Sequence, residues 1–267
     1  MKLPIPFTLW AAALIMPGGL FAEETVLLDE NFAQGTRAVQ KLPAESAWFS
    51  SGESGTLVAS PGNMQLVPMQ SSLFAIGYFT DRSAAEVAEG ETLTLTIAFT
   101  MSNPANNSTG VRLALLDSGG KRTTADNGNV GAKRYNAYTG YGVFLNPPGT
   151  GKSVGTGSLT IRKRNSGLSN TLITSGDAYA ALGAGGNPFM LEDGENYTLT
   201  LSLKNLGKAG LEVRVSLAGK NIDAGFSCVD ADAPHFSFDT IVLAGMRASF
   251  ESWKISRIRV GIEREGP

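Results

Sequence analysis

The sequence predicts an all-β protein, a two-sheet antiparallel β-sandwich of the jelly-roll type with about a dozen strands. Apolar and polar residues alternate along the chain from Thr25 to its end, and the alternating runs are bounded by Gly, Asn, Asp and Ser. No window has a helical period of more than a turn or two. Such period-two runs are typical of half-buried antiparallel strands. So many short strands, with 32 glycines in the chain, indicate two packed sheets.

The clearest strand is "ETLTLTIAFT", where alternate apolar residues from Leu93 to Phe99 share one face and threonines dominate the other. "YTLTLSLKN" and "LEVRVSLAG" repeat the pattern. The other predicted strands, in chain order, are "TLVAS", "LFAIGYFT", "VRLALLDS", "YGVFLN", "SLTIRKRN", "FDTIVLAGM" and "SWKISRIRVGI". Short helices are predicted in "SAAEVAEGE" and "DAYAALG".

The last strand changes its alternation phase. Trp253 and Ile255 share one parity, whereas Ile258 and the apolar residues after it share the other. A phase change within one strand predicts a β-bulge near Ser256 or Arg257. Apolar neighbours along their strands place Trp48 and Trp253 in the predicted core.

The N-terminus has the layout of a secretory signal peptide, with Lys2 followed by an apolar stretch and then Ala22. We therefore expect a signal peptide over residues 1–22 and a single mature domain over 23–267. No later segment has the roughly 20 apolar residues that a membrane-spanning helix needs. The predicted location is secreted, periplasmic or at the cell surface.

Composition excludes several classes of protein. The net charge is −2 and charged residues are 17% of the chain, so no basic field for nucleic acid is present. Cys228 is the only cysteine, which rules out an internal disulfide. We expect it to be a buried apolar residue.

"NPPGTGKS" resembles the phosphate-binding loop of ATPases. Gly151, Lys152 and Ser153 fit that motif, but Asn146 stands where its first glycine belongs. The motif also needs a following helix to hold the phosphates, and here the loop leads into the predicted strand "SLTIRKRN". We interpret it as a turn between two strands and predict no nucleotide partner.

Two segments resemble the ends of concanavalin A-like, or laminin-G-like, sandwiches of secreted bacterial proteins. They are "LLDENFAQGTRAVQKLPAESAWFSSG" near the start and "FESWKISRIRVGIE" at the end. The resemblance implies that the first and last strands pair. It also implies two curved sheets, often with a carbohydrate site on the concave face, but no activity by itself.

Few residues in the sequence suit catalysis. His235 is the only histidine, and no G-x-S-x-G turn accompanies it for a serine hydrolase. Glycoside hydrolases of this superfamily carry paired carboxylates on one strand. The segment "LEDGENY" holds three carboxylates, but its glycine predicts a turn rather than a strand, and so this type of hydrolysis is disfavoured. The remaining catalytic alternative is a polysaccharide lyase, with a tyrosine as the base and arginines that neutralise a uronate.

Arginines and tyrosines gather in three neighbouring predicted strands. If these strands form a meander, alternation puts Arg112, Arg162 and Arg164 on the side opposite the apolar residues. Their polar faces then form a basic, aromatic-bearing groove suited to an acidic glycan. The alternative is ordinary solvated side chains that protect sheet edges. The predicted ligand-binding residues are Arg112, Arg134, Tyr135, Tyr138, Tyr141, Arg162 and Arg164.

Oxygen ligands for calcium are available at Asp29 and Glu30 in the first strand. The alternative is a solvated strand end. One His and one Cys are too few for a transition-metal site, and no other cofactor is expected.

Together these observations predict a carbohydrate-binding β-sandwich with a polysaccharide or other glycan as its partner. The lyase and a non-catalytic structural or adhesive envelope protein remain as alternatives. The adhesive alternative predicts a flat polar sheet or an exposed apolar patch.

Overall fold

The strands of the protein follow one another with few helical interruptions. A computed structural model describes residues 23–51, 56–68, 73–106, 110–126, 133–147, 157–167, 171–173, 178–232, 234–246 and 249–264. The first nine strands of this part of the chain are β1 (Glu23–Glu30), β2 (Trp48–Ser50), β3 (Leu57–Ser60), β4 (Asn63–Leu66), β5 (Leu73–Tyr78), β6 (Ala85–Glu86), β7 (Glu91–Ser102), β8 (Arg112–Asp117) and β9 (Thr139–Leu145). The others are β10 (Leu159–Arg164), β11 (Tyr179–Gly185), β12 (Tyr197–Asn205), β13 (Leu211–Gly219), β14 (Ile222–Asp230), β15 (Ser237–Phe238), β16 (Thr240–Gly245) and β17 (Ser252–Arg264).

Fifteen of these strands form two antiparallel sheets. The first has eight strands in the order β14-β13-β12-β7-β17-β4-β3, and β1 also pairs with β17. The second has seven strands in the order β11-β10-β9-β8-β16-β5-β2. The remaining two, β6 and β15, pair with each other. The predicted two-sheet antiparallel sandwich is confirmed, with 17 strands among the described residues where about a dozen were expected.

Both predicted short helices are wrong. Residues 179–183 of "DAYAALG" and the two residues after them form β11, which pairs with β10 at the edge of the seven-stranded sheet. "SAAEVAEGE" contributes the two-residue strand β6. The tertiary pairing of both segments outweighs a weak local helix propensity. The described residues form 3₁₀ turns at Lys133–Ala137 and Gly207–Ala209.

The main core lies between the two sheets, where alternate residues of each strand meet. It includes Trp48 and Trp253, both fully buried as predicted. Trp48 lies over Gly77, where an added Cβ would approach the indole ring to 2.7 Å. A glycine at position 77 is therefore what allows the strand to pass beneath this ring.

A second apolar cluster covers the outer face of the seven-stranded sheet. On β8, Leu115 packs into the main core while its neighbour Leu116 belongs to this second cluster. The 3₁₀ turn at Lys133–Ala137 and the segment Leu172–Ile173 supply residues that cover it. The burial of β5 and β16 is consequently continuous rather than alternating.

The bulge predicted in the last strand is confirmed. The pairing of β17 with β7 shifts between Ile255 and Arg257, and the Ser256 hydroxyl donates to the carbonyl oxygen of Ala98 at 3.2 Å. Beyond the bulge, β17 pairs with β1 from Glu30↔Ile258 to Glu23↔Arg264. The expected pairing of the first and last strands is thus also confirmed.

The predicted signal peptide, residues 1–22, lies outside the described residues. Within the part of the chain that the structure describes, no helix has the length and apolarity to cross a membrane.

Candidate functional site

Three predicted arginines lie on one face of three adjacent strands. β8, β9 and β10 pair in sequence order as an antiparallel meander. Arg112 of β8 lies opposite Phe144 of β9, and Arg162 and Arg164 of β10 lie opposite Gly142 and Gly140. The side chains at these positions point away from the main core, because their neighbours along each strand point into it. We call this outer surface of β8–β10 the arginine face.

Two of these arginines pack against the same aromatic ring. The guanidinium carbon of Arg112 is 4.6 Å from the centroid of Phe144, and that of Arg162 is 5.1 Å from it. Nη1 of Arg112 donates to the carbonyl oxygen of Ile173 at 3.2 Å, and Nη1 of Arg162 donates to that of Tyr179 at 2.9 Å. Both side chains are partly exposed. The arginine face therefore presents two oriented cations to solvent.

Burial and like charge affect the pKa of these groups. Burial lowers the pKa of Arg112, and the nearby Arg162 charge lowers it further. Burial also lowers the pKa of Arg162. Both remain cations at neutral pH because a guanidinium does not lose its proton in proteins. Two cations are thus held together in a partly desolvated place, where an anion interacts more strongly than at an open surface.

Arg164 occupies a different environment from the other two. It is fully buried, and its Nη2 donates to the carbonyl oxygen of Tyr135 at 2.6 Å. Its guanidinium carbon lies 5.4 Å from the ring centroid of Tyr179. Because Arg164 does not reach the surface, its contacts support the 3₁₀ turn over the sheet rather than a ligand.

The tyrosines predicted for the groove are also buried. Tyr135 and Tyr138 are both inaccessible, and their rings pack edge to face at 5.6 Å. The Tyr138 hydroxyl lies 3.1 Å from that of Tyr78 and donates to the carbonyl oxygen of Lys121. Burial raises the pKa of Tyr138 far above its usual range. Arg134, on the same 3₁₀ turn, is exposed.

Tyr141 is separated from the arginine face, contrary to the groove predicted from the sequence. Its parity on β9 points into the main core, where its hydroxyl donates to Oδ2 of Asp230 at 2.7 Å. Lys163 pairs with the same carboxylate oxygen at 2.9 Å. Because Asp230 ends β14 of the other sheet, this buried cluster joins the two sheets. Tyr141 and Phe144 have opposite parity on β9, and so they point to opposite faces of the sheet.

His235 and Cys228 lie near this cluster. The backbone N–H of His235 donates to the Tyr141 hydroxyl at 3.0 Å, and burial lowers the pKa of the imidazole. Cys228 is half-buried and packs against the main core, which is less burial than the sequence predicted. Burial raises the pKa of its thiol to about 11. A nucleophilic thiolate is therefore not favoured at neutral pH.

Asp29 and Glu30, the predicted calcium ligands, are not brought together at one site. They are consecutive on β1 and point to opposite faces of the sheet. Asp29 accepts two hydrogen bonds of 2.8 Å from Arg257, which lower its pKa. Glu30 is buried and accepts from Nε1 of Trp48 at 2.8 Å and from the backbone N–H of Ser46 at 3.0 Å. No group of three or more His, Cys, Asp or Glu side chains suited to a metal occurs among the described residues.

The loop containing "NPPGTGKS" joins β9 to β10. The two strands pair directly, and the N–H of Asn146 donates to the carbonyl oxygen of Ser158 at 2.8 Å, so the connection is a hairpin. Residues 148–156, including Lys152, lie outside the described residues. The next element is a strand, not the helix that a phosphate-binding loop requires.

Sequence reasoning missed two residues that organise the arginine face. From the sequence, Phe144 was known only to lie in a predicted strand. It is two residues from Gly142, which lies opposite Arg162, and so it points to the same face as the arginines. Tyr141 points to the other face. Tyr179 was assigned to a short helix. In the structure its hydroxyl donates to the carbonyl oxygen of Leu172 at 2.9 Å, and its ring lies 5.9 Å from that of Phe144. Gly142 leaves room for this ring, since an added Cβ would lie 3.1 Å from it.

Comparison with solved structures identifies the class of fold. The exoplasmic/lumenal domain of VIP36 in its metal-free form superposes with a TM-score of 0.55 and 11% identity over 92% of this chain and 95% of that one. The Ca²⁺/mannose-bound form of the same domain gives 0.54 and 12% over 88% and 91%. The carbohydrate recognition domain of Emp47p gives 0.52 and 13% over 91% and 97%. The chain has the concanavalin A-like lectin fold, which confirms the resemblance at the level of the fold.

Comparisons at the level of sequence found nothing similar. No protein-family model matches the chain, and a search of curated proteins gave no significant match.

Proposed function

We propose that this protein is a carbohydrate-binding β-sandwich that recognises an acidic polysaccharide at its arginine face. The observation that carries the proposal is the packing of Arg112 and Arg162 around Phe144 on adjacent strands. Guanidinium groups bind carboxylate and sulfate through charge-assisted, often bidentate, hydrogen bonds. Proteins of the same fold support a glycan partner, because one neighbour is a carbohydrate recognition domain and another was solved with mannose.

We propose a binding role rather than catalysis. A lyase base must be accessible and able to lose its proton near the working pH. Tyr135 and Tyr138 are buried beneath the surface, Tyr141 lies between the sheets, and burial raises the pKa of the latter two. These contacts support a protein that holds a glycan without cleaving it. The lyase alternative predicts that unsaturated uronates accumulate on incubation with a polyuronate.

The proposed location is secreted, periplasmic or at the cell surface. The signal-peptide pattern of residues 1–22 supports it, as does the exoplasmic/lumenal assignment of the VIP36 domain. If the proposal is right, the protein recovered from cells begins at Glu23 and is found outside the cytoplasm. N-terminal sequencing of the fractionated protein tests this.

The binding proposal is tested on immobilised acidic and neutral polysaccharides. We expect retention on alginate, polygalacturonate or a sulfated glycan, and about 10-fold weaker binding for Arg162→Gln, because one charge-assisted contact contributes roughly 1.5–3 kcal/mol. Arg214→Gln is the matched control, since Arg214 is an exposed arginine on β13 of the other sheet. Absence of binding to every acidic glycan, or equal losses in both variants, would contradict the proposal.

The same assay examines calcium and catalysis. Because VIP36 was solved with Ca²⁺ and mannose, binding is measured with Ca²⁺ and with a chelator. Loss of binding in the chelator would assign calcium a role in binding. Ultraviolet absorbance recorded alongside detects unsaturated uronates, and a rise would replace the binding role with a lyase activity.

One observation favours the adhesive alternative as a second candidate function. The outer face of the eight-stranded sheet carries half-exposed hydroxyl residues in register across β7, β12 and β13, such as Thr96, Thr200 and Ser216. A broad polar surface of this kind suits attachment to another polar surface. Substituting Thr96 and Thr200 together by Val would then weaken attachment to cell-wall material, whereas Arg162→Gln would leave it unchanged.

A further inference from the structure

The two partly exposed cations of the arginine face come from strands on opposite sides of β9. Arg112 lies on β8 and directly faces Phe144, whereas Arg162 lies on β10 and is diagonal to it. Their guanidinium carbons are 4.6 and 5.1 Å from the same ring centroid, so they lie less than about 10 Å apart. Phe144 is 3% exposed, and so its ring offers no face to a sugar.

Each guanidinium is held in place by a backbone carbonyl of a different segment. Arg112 donates to Ile173 and Arg162 to the edge-strand residue Tyr179. A side chain that is already oriented loses less conformational entropy when it binds. The two cations are thus arranged before any ligand arrives, each in contact with the Phe144 ring.

Arg162 retains unused capacity for hydrogen bonding. Its Nε is buried and has no hydrogen-bond partner, and within the described ranges no carboxylate is paired with its guanidinium. A partly exposed guanidinium without a carboxylate partner can donate charge-assisted hydrogen bonds to an oxyanion from solvent. The repulsion between the two cations would fall at the same time.

We propose that Arg112 and Arg162 form two separate oxyanion subsites with Phe144 as the spacer between them, so that the ligand is a glycan carrying at least two anionic groups on one chain. This inference rests on the proposed function and adds to it the charge pattern of the ligand. Two linked anions bind more tightly than one because the second association is intramolecular. Arg164 is a positioning residue in this arrangement, since it is buried and holds the 3₁₀ turn through Tyr135.

The test measures affinity against the number of anionic groups. Calorimetry compares hyaluronan oligosaccharides, which carry one carboxylate per disaccharide, with oligogalacturonates, which carry one per sugar, and with chondroitin sulfate oligosaccharides, which add sulfate. We expect the shortest oligosaccharide with two anionic groups at a suitable separation to bind at least about 10-fold more tightly than its singly charged counterpart. The series of oligosaccharides that shows this gain identifies the type of oxyanion and the spacing between the anionic groups.

Variants then attribute the gain to the two arginines. Arg112→Gln and Arg162→Gln should each remove the gain. The two variants should bind a singly charged oligosaccharide with affinities within a few-fold of each other. Arg112→Lys and Arg162→Lys retain the charge and should keep part of the gain, so they cover the event that a Gln variant misfolds. Phe144→Leu keeps an apolar core residue but shortens the spacer and should reduce the gain. Arg214→Gln should change nothing.

The possible outcomes are distinct. A wild-type protein that binds singly and doubly charged oligosaccharides equally well, or a gain that survives both Gln variants, would overturn the two-subsite arrangement while the proposed function stands. Failure of every acidic oligosaccharide and polysaccharide to bind would overturn the proposed function itself. A gain lost in both Gln variants and kept in Arg214→Gln supports both.

Discussion

The outer faces of the two sheets differ in what covers them. On β12 of the eight-stranded sheet, buried residues alternate with half-exposed ones, and the outward residues are Thr, Ser and Lys. On β5 and β16 of the seven-stranded sheet every residue is buried, because other parts of the chain lie over the outer face. One sheet is thus solvated on its outer side, whereas the other has an apolar layer on both sides.

The outward arginines of the two sheets differ accordingly. Arg257 on β17 forms an ion pair with Asp29, and Arg259 with Glu24, so these charges are neutralised at the surface. On the arginine face, Arg112 and Arg162 pack on Phe144 and are partly desolvated. An outward arginine is therefore a solvated surface residue on one sheet and part of a candidate binding site on the other.

The largest expected effect concerns the buried ion pair that joins the sheets. Asp230→Asn removes the carboxylate that pairs with Lys163 and should lower the free energy of unfolding by about 3–5 kcal/mol, because the lysine charge stays buried while a carboxylate charge is lost. Chemical denaturation measures the loss. A double variant with Lys163→Met should recover part of it. A loss below about 1 kcal/mol would mean that Lys163 reaches solvent.

Adjacent leucines on β8 test whether the seven-stranded sheet has an apolar layer on both sides. Leu115 and Leu116 point to opposite faces and are both fully buried. Each change to Ala should therefore lower the free energy of unfolding by about 2–5 kcal/mol. On β12 the matched pair should differ, with a loss of that size for Leu201→Ala and a change within about 0.5 kcal/mol for Ser202→Ala. A neutral Leu116→Ala would contradict the comparison of the two sheets.

The next effect is a pH dependence at Glu30, which is buried where β1 meets Trp48. Burial raises the pKa of Glu30 to about 7 from an ordinary value of 4.5, against the opposing effect of its hydrogen bonds from Trp48 and Ser46. The folded state binds this proton more tightly than the unfolded state. The contribution to stability is therefore fully present below about pH 4.5 and is lost as the pH rises to about 7.

Glu30→Gln should remove this pH dependence, because an amide does not titrate there. From pH 4.5 to 7.5 the wild-type protein should lose stability relative to the variant by on the order of 3 kcal/mol at most, since one pKa unit corresponds to about 1.4 kcal/mol. Urea denaturation at several pH values measures the difference. If the stability of the two proteins changed with pH in the same way, the raised pKa of Glu30 would be contradicted.

The smallest effect concerns the surface ion pair between Asp29 and Arg257. Asp29→Asn should change the free energy of unfolding by less than about 1 kcal/mol, because both side chains are partly exposed and water screens their attraction. Added salt should reduce the difference further. The contrast with Asp230→Asn compares an ion pair on the outer face of the eight-stranded sheet with one between the sheets. Equal losses of unfolding free energy in the two variants would indicate that burial does not make one ion pair more important to stability than the other.

Much of the fold was predictable because alternation reports directly which face of a strand is buried. The long strands β7, β12 and β13 were all found in this way. The bulge in β17 was visible as a change of parity. The edge strand β11 was missed, because its small residues carry no alternation and its pairing with β10 is a tertiary contact.

The candidate site was predictable only in part. Alternation brought Arg112, Arg162 and Arg164 to one face, and the structure has them there. It could not tell that Arg164 is buried, because the cover comes from the 3₁₀ turn at Lys133–Ala137. Alternation also could not show that Tyr141 and the arginines lie on opposite faces of the sheet. The pairing register of β9 was needed to show which of its residues point outward.

The sequence by itself determined a β-sandwich, the bulge in its last strand and the shared parity of the three arginines, since all of these follow from local alternation. The tertiary structure alone decided which polar residues are desolvated. Burial of Glu30, Asp230 and Arg164 depends on segments distant in the chain that fold over them. The same long-range packing places Phe144 between Arg112 and Arg162, and so turns two ordinary strand arginines into a candidate anion-binding face.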